Sequence, residues 1–311
     1  MVKKLNFYIF ILSLCLATSV LAKDEYKYFP TPVPINITPG NYEGSSWGLG
    51  YNLMKLTSDW DEDFWTFKSE NVGEIDYRVD NVVLAYLKSK RQSYSVEYDL
   101  LIGKITSTSG TDQYYSKLIG RDVNVDHSGD GFDIGFRVIY SKNLFSQLKE
   151  GKKRFIDWNY GLSLHVAYFQ IQGTYEARSV DNLYANEYES EEEGLFLRPV
   201  LMLQPIMDIT DRISLIPYIG VGTKISLWYQ YWEDVGDYIF NGNDSPSQKS
   251  DGEEWGVDYS GIETYLGFDV GFKVTKKSDH LLRIGGTFTK LFGEDDSDFA
   301  EVHVVYSIPF L

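Results

Sequence analysis

Two residues near the middle of the chain have the types and the spacing of a nucleophile and its base. Ser163 and His165 lie two positions apart in FIDWNYGLSLHVAYFQ, which spans residues 155–170. Alternate residues of a β-strand project to the same side, so the hydroxyl and the imidazole would be neighbours. A serine paired with a histidine can perform acyl transfer. This pair is therefore the first candidate for catalysis.

A second candidate site is a cluster of aspartates. Residues 126–133 have the sequence DHSGDGFD, which matches D-x-S-x-D-G, the first half of a calcium-binding loop. The twelfth position, where an EF-hand carries Glu, is Arg137. The candidate calcium ligands are Asp126, Ser128, Asp130 and Asp133. The alternative is an Asp- and Gly-rich turn that holds no metal.

The alternation around Ser163 and His165 predicts the element that carries them. One face is apolar and the other is polar or small; the apolar residues are Ile156, Trp158, Tyr160, Leu162, Leu164, Val166 and Tyr168. A period of two predicts a β-strand with one apolar face. Aromatic residues near both ends are typical of a strand that crosses a bilayer with its polar face turned into a barrel.

The same alternation recurs along most of the chain. Ten segments are predicted as strands: 45–57, 79–88, 93–106, 131–141, 155–172, 194–206, 213–231, 259–275, 281–291 and 299–311. Regions 60–67 and 182–188 are the alternative, since two more strands there would make twelve. The sequence thus predicts an all-β protein, a transmembrane antiparallel β-barrel.

The connections between these segments alternate in length and in charge. The five odd-numbered connections carry 30 Asp and Glu against 6 Lys and Arg, and the four even-numbered ones carry 10 Lys and Arg against 4 acids. Alternate connections of a membrane barrel lie on opposite sides of the bilayer, with long loops outside and short turns in the periplasm. We therefore predict long acidic external loops and short basic periplasmic turns.

The N-terminal region predicts export. Lys3 and Lys4 precede an apolar run from Leu5 to Leu16, and Val20-Leu21-Ala22 offers a small-residue cleavage site, which is the pattern of a secretory signal peptide. We assign residues 1–22 to the signal peptide, 23–44 to a proline-rich periplasmic leader and 45–311 to the barrel. Cys15 is the only cysteine and would leave with the signal peptide. A disulfide framework and cysteine chemistry are therefore excluded from the mature chain.

The net charge of -16 argues against nucleic acid as a partner. Acidic external loops would instead recruit Ca²⁺ or Mg²⁺, and such ions also bridge the phosphates of lipopolysaccharide. No other cofactor is expected. Outer-membrane lipid and lipopolysaccharide are therefore the expected partners; the oligomeric state is left open.

Over residues 45–311 the chain resembles Gram-negative outer-membrane β-barrel proteins. The features that carry the resemblance are the signal peptide, the alternating strands and the apolar-aromatic final strand FAEVHVVYSIPFL. The resemblance implies an outer-membrane location and recognition of the C-terminal strand by the barrel-assembly machinery. In that class the last residue is usually aromatic, whereas here Phe310 is followed by Leu311.

Turning the polar faces inward predicts a charge-lined lumen. Its predicted lining is Glu97, Asp99, Arg137, Asp157, His165, Arg198, Lys224, Glu263, Asp269, Arg283, Glu301 and His303. Barrels of about eight strands are filled by side chains, and aqueous channels appear at about sixteen. These charges should therefore pair across a narrow interior; the alternative is a narrow conduit whose ion preference they set.

Two enzyme classes offer comparisons for the candidate catalytic residues. Outer-membrane lipid hydrolases place His-x-Ser on a strand, whereas this chain has Ser163-x-His165. Omptin-type proteases carry an Asp two residues before their His, but Val125 holds that position before His127. We therefore expect a non-enzymatic barrel, either a restricted channel or a structural and surface protein. The alternative is an outer-membrane hydrolase, omptin-like or lipid-acting, with its site at the external rim.

Overall fold

The computed structural model describes residues 44–60, 73–90, 94–108, 112–116, 121–144, 156–181, 184–235, 238–240, 243–245, 248–274, 280–292 and 298–309. The predicted signal peptide and nearly all of the leader lie outside these ranges, as do Phe310 and Leu311. Within these ranges no helix is long and apolar enough to cross a membrane.

Ten long strands form one antiparallel sheet. They are β1 (Gly44–Trp60), β2 (Gly73–Lys90), β3 (Tyr94–Thr108), β5 (Arg121–Asn143), β6 (Ile156–Ser179), β7 (Tyr184–Asp208), β8 (Ile213–Val235), β11 (Gln248–Lys273), β12 (Leu281–Phe292) and β13 (Asp298–Pro309). Three short strands join them: β4 (Asp112–Ser116) pairs with β5, β9 (Tyr238–Phe240) pairs with β7, and β10 (Asn243–Ser245) pairs with β9.

The sheet closes on itself, because β1 pairs with β13 and β7 pairs with β8. The register that starts at Tyr160 on β6 and passes once around the barrel returns to β6 at Gln172, 12 residues further along. The strands are therefore tilted against the barrel axis, as closure requires. The prediction of a ten-stranded antiparallel barrel is confirmed.

The outer face of the barrel carries an apolar belt. Its members include Leu49, Val82, Ile102, Ile134, Leu164, Leu201, Ile219, Leu266, Ile284 and Val302, each between 37% and 64% exposed. On β6 the belt is bounded by Trp158 at one end and by Tyr168 at the other. Aromatic rings prefer the headgroup zone of a bilayer. The belt is therefore the lipid-facing surface.

Several strands are longer than predicted. The segment 173–193 was predicted as a loop, but β6 continues to Ser179 and β7 begins at Tyr184. Residues 184–188, considered for an extra strand, are the start of β7, whereas 61–67 lie outside the described residues. The loop boundaries were wrong because backbone pairing continues beyond the bilayer, where neither face has to be apolar.

The apolar belt leads to a stability prediction. Leu164→Arg places a charge near the middle of the belt, where a charged side chain costs about 2–4 kcal/mol. Chemical unfolding in lipid vesicles should show a loss of that size. Glu176→Arg, exposed on the same strand beyond Tyr168, should change stability by about 0.5 kcal/mol or less. Equal tolerance of both changes would contradict a lipid-facing belt.

Candidate functional site in the barrel lumen

Each of the ten long strands places a buried polar side chain in the lumen. We call this set the polar belt; its members are Asn52, Asn81, Asp99, Arg137, His165, Arg198, Lys224, Asp269, Arg283 and His303, none more than 3% exposed. The outer face of a closed barrel is exposed, so a buried side chain on one of its strands faces the lumen. Buried charges are tolerated when they are paired or hydrogen-bonded.

The twelve residues predicted to line the lumen are all buried. The most exposed of them are Asp157 and Glu301, each 6% exposed. The structure brings most of these side chains into direct contact.

One ion pair spans the lumen. Both oxygens of the Glu97 carboxylate on β3 accept hydrogen bonds from Arg283 on β12, at 2.7 Å from Nη1 and 2.6 Å from Nη2. Three strands separate β3 from β12 along the sheet. The bond therefore crosses the interior instead of following the wall. Bidentate pairing of this kind is strong and directional.

Further ion pairs join residues on closer strands. Arg137 donates to Asp99 Oδ2 from Nε at 2.9 Å and from Nη2 at 2.5 Å. Arg198 Nη2 lies 3.1 Å from Glu263 Oε1, and Glu263 also accepts a hydrogen bond from the Tyr265 hydroxyl. Four of the ten members of the polar belt are therefore paired with an opposite charge: Asp99, Arg137, Arg198 and Arg283.

Two further basic members of the belt, His303 and Lys224, have different neighbours. His303 lies between two carboxylates, with Nε2 at 3.0 Å from Asp269 Oδ1 and Nδ1 at 3.7 Å from Glu301 Oε1. Lys224 Nζ stands 3.6 Å from the ring centroid of Phe196, a cation–π contact. Each of these side chains therefore has a favourable neighbour inside the barrel.

Inward-facing glycines allow side chains two strands apart to meet. Gly103 is paired with Asn81 on one side and Asp133 on the other, and a Cβ at Gly103 would collide with both side chains. Gly285 lies in the same way between Asp269 and His303. Gly267 lies between Tyr218 and Thr287, whose hydroxyls are 2.5 Å apart. The glycines thus make room for the polar contacts.

Two apolar groups fill the lumen beside the polar belt. The first lies toward the Trp60 end of β1 and contains Met54, Val79, Ile105, Phe169, Ile171, Phe196, Tyr229 and Phe299. The second, which we call the inner apolar cluster, contains Ile139, Val200, Met202, Ile206, Ile216, Tyr218 and Tyr265. The described side chains therefore fill the lumen with polar and apolar layers.

The candidate catalytic pair does not form a catalytic contact. Ser163 and His165 are both buried in the lumen, and the Ser163 hydroxyl and both His165 ring nitrogens have no hydrogen-bond partner. The register instead places His165 between Arg137 and Arg198. A base must reach the proton that it removes. The pair therefore lacks the geometry for acyl transfer.

The candidate calcium residues lie on a strand and not on a loop. Asp126, Ser128 and Asp130 are exposed on the outer face of β5, whereas Asp133 is buried on its inner face. Asp130 Oδ1 is 3.0 Å from Lys104 Nζ. Alternation on a strand therefore prevents these four residues from reaching one ion. In the described part of the chain, no group of three or more His, Cys, Asp or Glu residues could hold a metal.

Sequence reasoning missed part of the polar belt. Asn52 and Asn81 face each other across β1 and β2, fully buried, but amides attract less notice than charges. For Asn81 the signal that could have found it is an inward-facing glycine, Gly103, opposite it on the next strand; Asn52 has no glycine opposite it on either neighbouring strand. The omptin comparison rests on His127, whose side chain lies outside the described part.

No family model and no curated protein match the sequence. Solved structures with similar folds include an outer-membrane channel from Pseudomonas putida F1, with 12% identity and a TM-score of 0.38 over 88% of this chain and 100% of that chain. The Ralstonia pickettii toluene transporter TbuX has 9% identity and a TM-score of 0.39 over 88% of this chain and 91% of that chain. The translocator domain of the autotransporter NalP from Neisseria meningitidis has 9% identity and a TM-score of 0.37 over 88% of this chain and 90% of that domain.

The ion pair across the lumen leads to a stability prediction. Arg283→Met leaves Glu97 as an unpaired buried carboxylate, which should lower stability by about 3–5 kcal/mol. The double variant Glu97→Gln/Arg283→Met removes both charges and should be more stable than Arg283→Met alone. A double-mutant cycle measured by chemical unfolding checks this coupling. Additive losses would show that the two side chains do not interact.

The glycine at position 103 leads to a packing prediction. Gly103→Ala places a methyl group against Asn81 and Asp133 and should cost about 1–3 kcal/mol through overpacking. Gly286→Ala is the matched control, because its Cβ would meet only Glu301 O at 3.0 Å and Val302 Cγ1 at 3.6 Å. The control should be destabilised less in the same unfolding assay. The reverse order would contradict the packing account.

Proposed function

We propose that this protein is a closed outer-membrane barrel of the surface type, in which the lumen stabilises the fold and the external surface carries the activity. The observation that supports this proposal is the polar belt. Every long strand contributes to it, and water reaches almost none of its side chains. A conducting pore would need a continuous hydrated path through this layer. A channel role would therefore require the belt to rearrange.

The unequal length of the strands supports a role at the surface. Strands β5, β6, β7, β8 and β11 have 23–26 residues, whereas β12 and β13 have 12 each. A tilted strand needs about 9–11 residues to cross a bilayer. One side of the barrel, formed by β5, β6, β7, β8 and β11, therefore extends well beyond the apolar belt. We call the part of these five strands beyond the belt the tall wall.

The outer face of the tall wall is acidic. Glu187, Glu189, Glu191 and Glu193 follow one another at every second position of β7, beyond the aromatic pair Tyr168 and Trp228. Glu193 accepts a hydrogen bond from the Tyr168 hydroxyl at 2.5 Å. These carboxylates would stand just outside the bilayer, at the level of lipopolysaccharide phosphates. Divalent cations shared between the two would attach the wall to the lipopolysaccharide layer.

The proposal also includes export by the predicted signal peptide, release of residues 1–22 and insertion by the barrel-assembly machinery. Strand β13 supports the last point, because it forms the closing seam with β1 along Ser46–Thr57. The hydrolase alternative gains no support from the lumen, where Ser163 and His165 make no mutual hydrogen bond.

Planar-bilayer recording tests the closed lumen. Wild-type protein should give no stable conductance steps, because no hydrated path crosses the polar belt. The double variant Glu97→Ser/Arg283→Ser removes the bond across the lumen and shortens both side chains, so it should give small, reproducible steps. This variant also shows that the preparation inserts into the bilayer. Reproducible steps from the wild type would overturn the proposal in favour of a restricted channel.

A further inference from the structure

Three prolines lie well inside barrel strands, whereas Pro309 is the last residue of β13. Pro199 and Pro205 are on β7 and Pro217 is on β8, and all three face the lipid side at intermediate exposure. Proline has no N–H to donate and is normally confined to edge strands or bulges. A closed barrel has no edge. Each proline must therefore leave a gap in one of the two ladders beside it.

The register shows which ladder has the gaps. The β6–β7 pairing continues through Pro199 and Pro205, and the β8–β11 pairing continues through Pro217. The β7–β8 pairing keeps one register from Leu197 to Asp208 but is interrupted twice. The gaps fall at residues 198–199 opposite 223–224, and at 204–206 opposite 216–218. All three missing donors therefore belong to the β7–β8 seam.

The second gap is the deeper defect, because two prolines face each other there. Leu203 pairs with Ile219 on one side of it, and Met207 pairs with Leu215 on the other. The shared register places Pro205 opposite Pro217, so neither can donate to the carbonyl of the other. Apart from the two gaps, pairing within the described seams is continuous except for a register shift between Leu195 and Phe196 in the β7–β8 seam and two irregularities between β8 and β11, at residues 255–262.

The seam lies within the apolar belt. Leu201 and Leu203 stand between the two gaps, 37% and 38% exposed toward the lipid, and Ile219 is 58% exposed. Lipid offers no hydrogen bonds to an unpaired backbone carbonyl. The β7–β8 seam is therefore the least strongly bonded part of the wall. Each unpaired group in such a place calls for an explanation.

The interior behind the second gap is mostly apolar. Met202 and Ile206 on β7 and Ile216 on β8 face inward, each 2% exposed or less, and they belong to the inner apolar cluster. Gln204 is buried between Met202 and Ile206, and its Oε1 accepts a hydrogen bond from Ser141 Oγ at 3.1 Å. Lipid lies on one side of the gap and mostly apolar side chains lie on the other. Trp158 pairs with Pro205, and tryptophan marks the headgroup zone. The gap is thus near the depth at which an acyl chain meets its headgroup.

We propose that the β7–β8 seam is a lateral gate through which a single alkyl chain passes from the membrane into the inner apolar cluster. The strands separate around Pro205 and Pro217, where no backbone hydrogen bond has to be broken. The chain then displaces contacts among Met202, Ile206 and Ile216. Its polar headgroup stays at the level of Trp158. The gate does not depend on ion conduction. An experiment can therefore disprove the gate without contradicting the proposal of a closed lumen.

Photolabelling with a fatty acid that carries a terminal diazirine tests the gate. Leu203→Cys/Ile219→Cys should form a disulfide across the seam, since the mature chain is expected to have no other cysteine. Leu162→Cys/Leu201→Cys is the matched control across the β6–β7 seam, where these residues are also paired. Each double variant is measured oxidised and reduced, in the same lipid vesicles.

Labelling of Met202 and Tyr218 should occur in the wild type and fall at least tenfold in the oxidised β7–β8 variant. Reduction should restore it, and the β6–β7 disulfide should leave it unchanged. Labels confined to lipid-facing residues such as Leu201, or equal interior labelling with the β7–β8 seam locked, would overturn the gate.

Hydrogen exchange gives a second readout that does not depend on a ligand. Pro205→Val/Pro217→Val restores two backbone donors and should slow exchange at Met207 and Ile219 by about tenfold, with a parallel loss of interior labelling. Exchange that is already as slow as in the β6–β7 seam of the wild type would show that the prolines leave no weak seam, and would overturn the proposal.

Discussion

A polar interior enclosed by lipid must satisfy its own charges, and this constraint explains most of the barrel. Ten strands leave too little space for bulk water, so each buried cation needs a partner within the lumen. The bidentate bond between Glu97 and Arg283 joins opposite walls. Inward glycines such as Gly103 and Gly285 supply the space that neighbouring polar side chains need. The polar contacts in the lumen therefore depend on the glycines on neighbouring strands.

The architecture was predictable because the bilayer imposes a period of two. Within the membrane, one face of each strand must be apolar, and the segment around Leu164 and Val166 shows this directly. The inward direction of Arg137, Arg283 and His303 follows from the same alternation. Which charge contacts which could not be predicted, because the pairing across the lumen depends on the tilt and register of distant strands.

The prediction failed where the bilayer constraint ends. Beyond Tyr168 the outward face of β6 becomes polar, with Gln170, Gln172 and Thr174, while Phe169 and Ile171 face inward. The apolar outer face that marks a membrane strand therefore ends there, and the continuation of β6 to Ser179 was not predicted. The Asp126–Asp133 stretch matched half of a calcium loop, yet regular pairing with β6 makes it a strand with two unlike faces. The prolines are the opposite case. Pro205 and Pro217 are visible in the sequence, but only the register shows that they face each other.

The most direct test of the closed lumen is the reactivity of a single cysteine placed in it. Ser163 is 1% exposed and its hydroxyl has no hydrogen-bond partner, so Ser163→Cys is a mild substitution. Ser128→Cys, exposed on the outer face of β5, is the matched reporter. In proteoliposomes, a membrane-impermeant thiol reagent on both sides should modify Cys at 128 and leave Cys at 163 unmodified. Rapid modification at 163 would contradict a lumen filled by its own side chains.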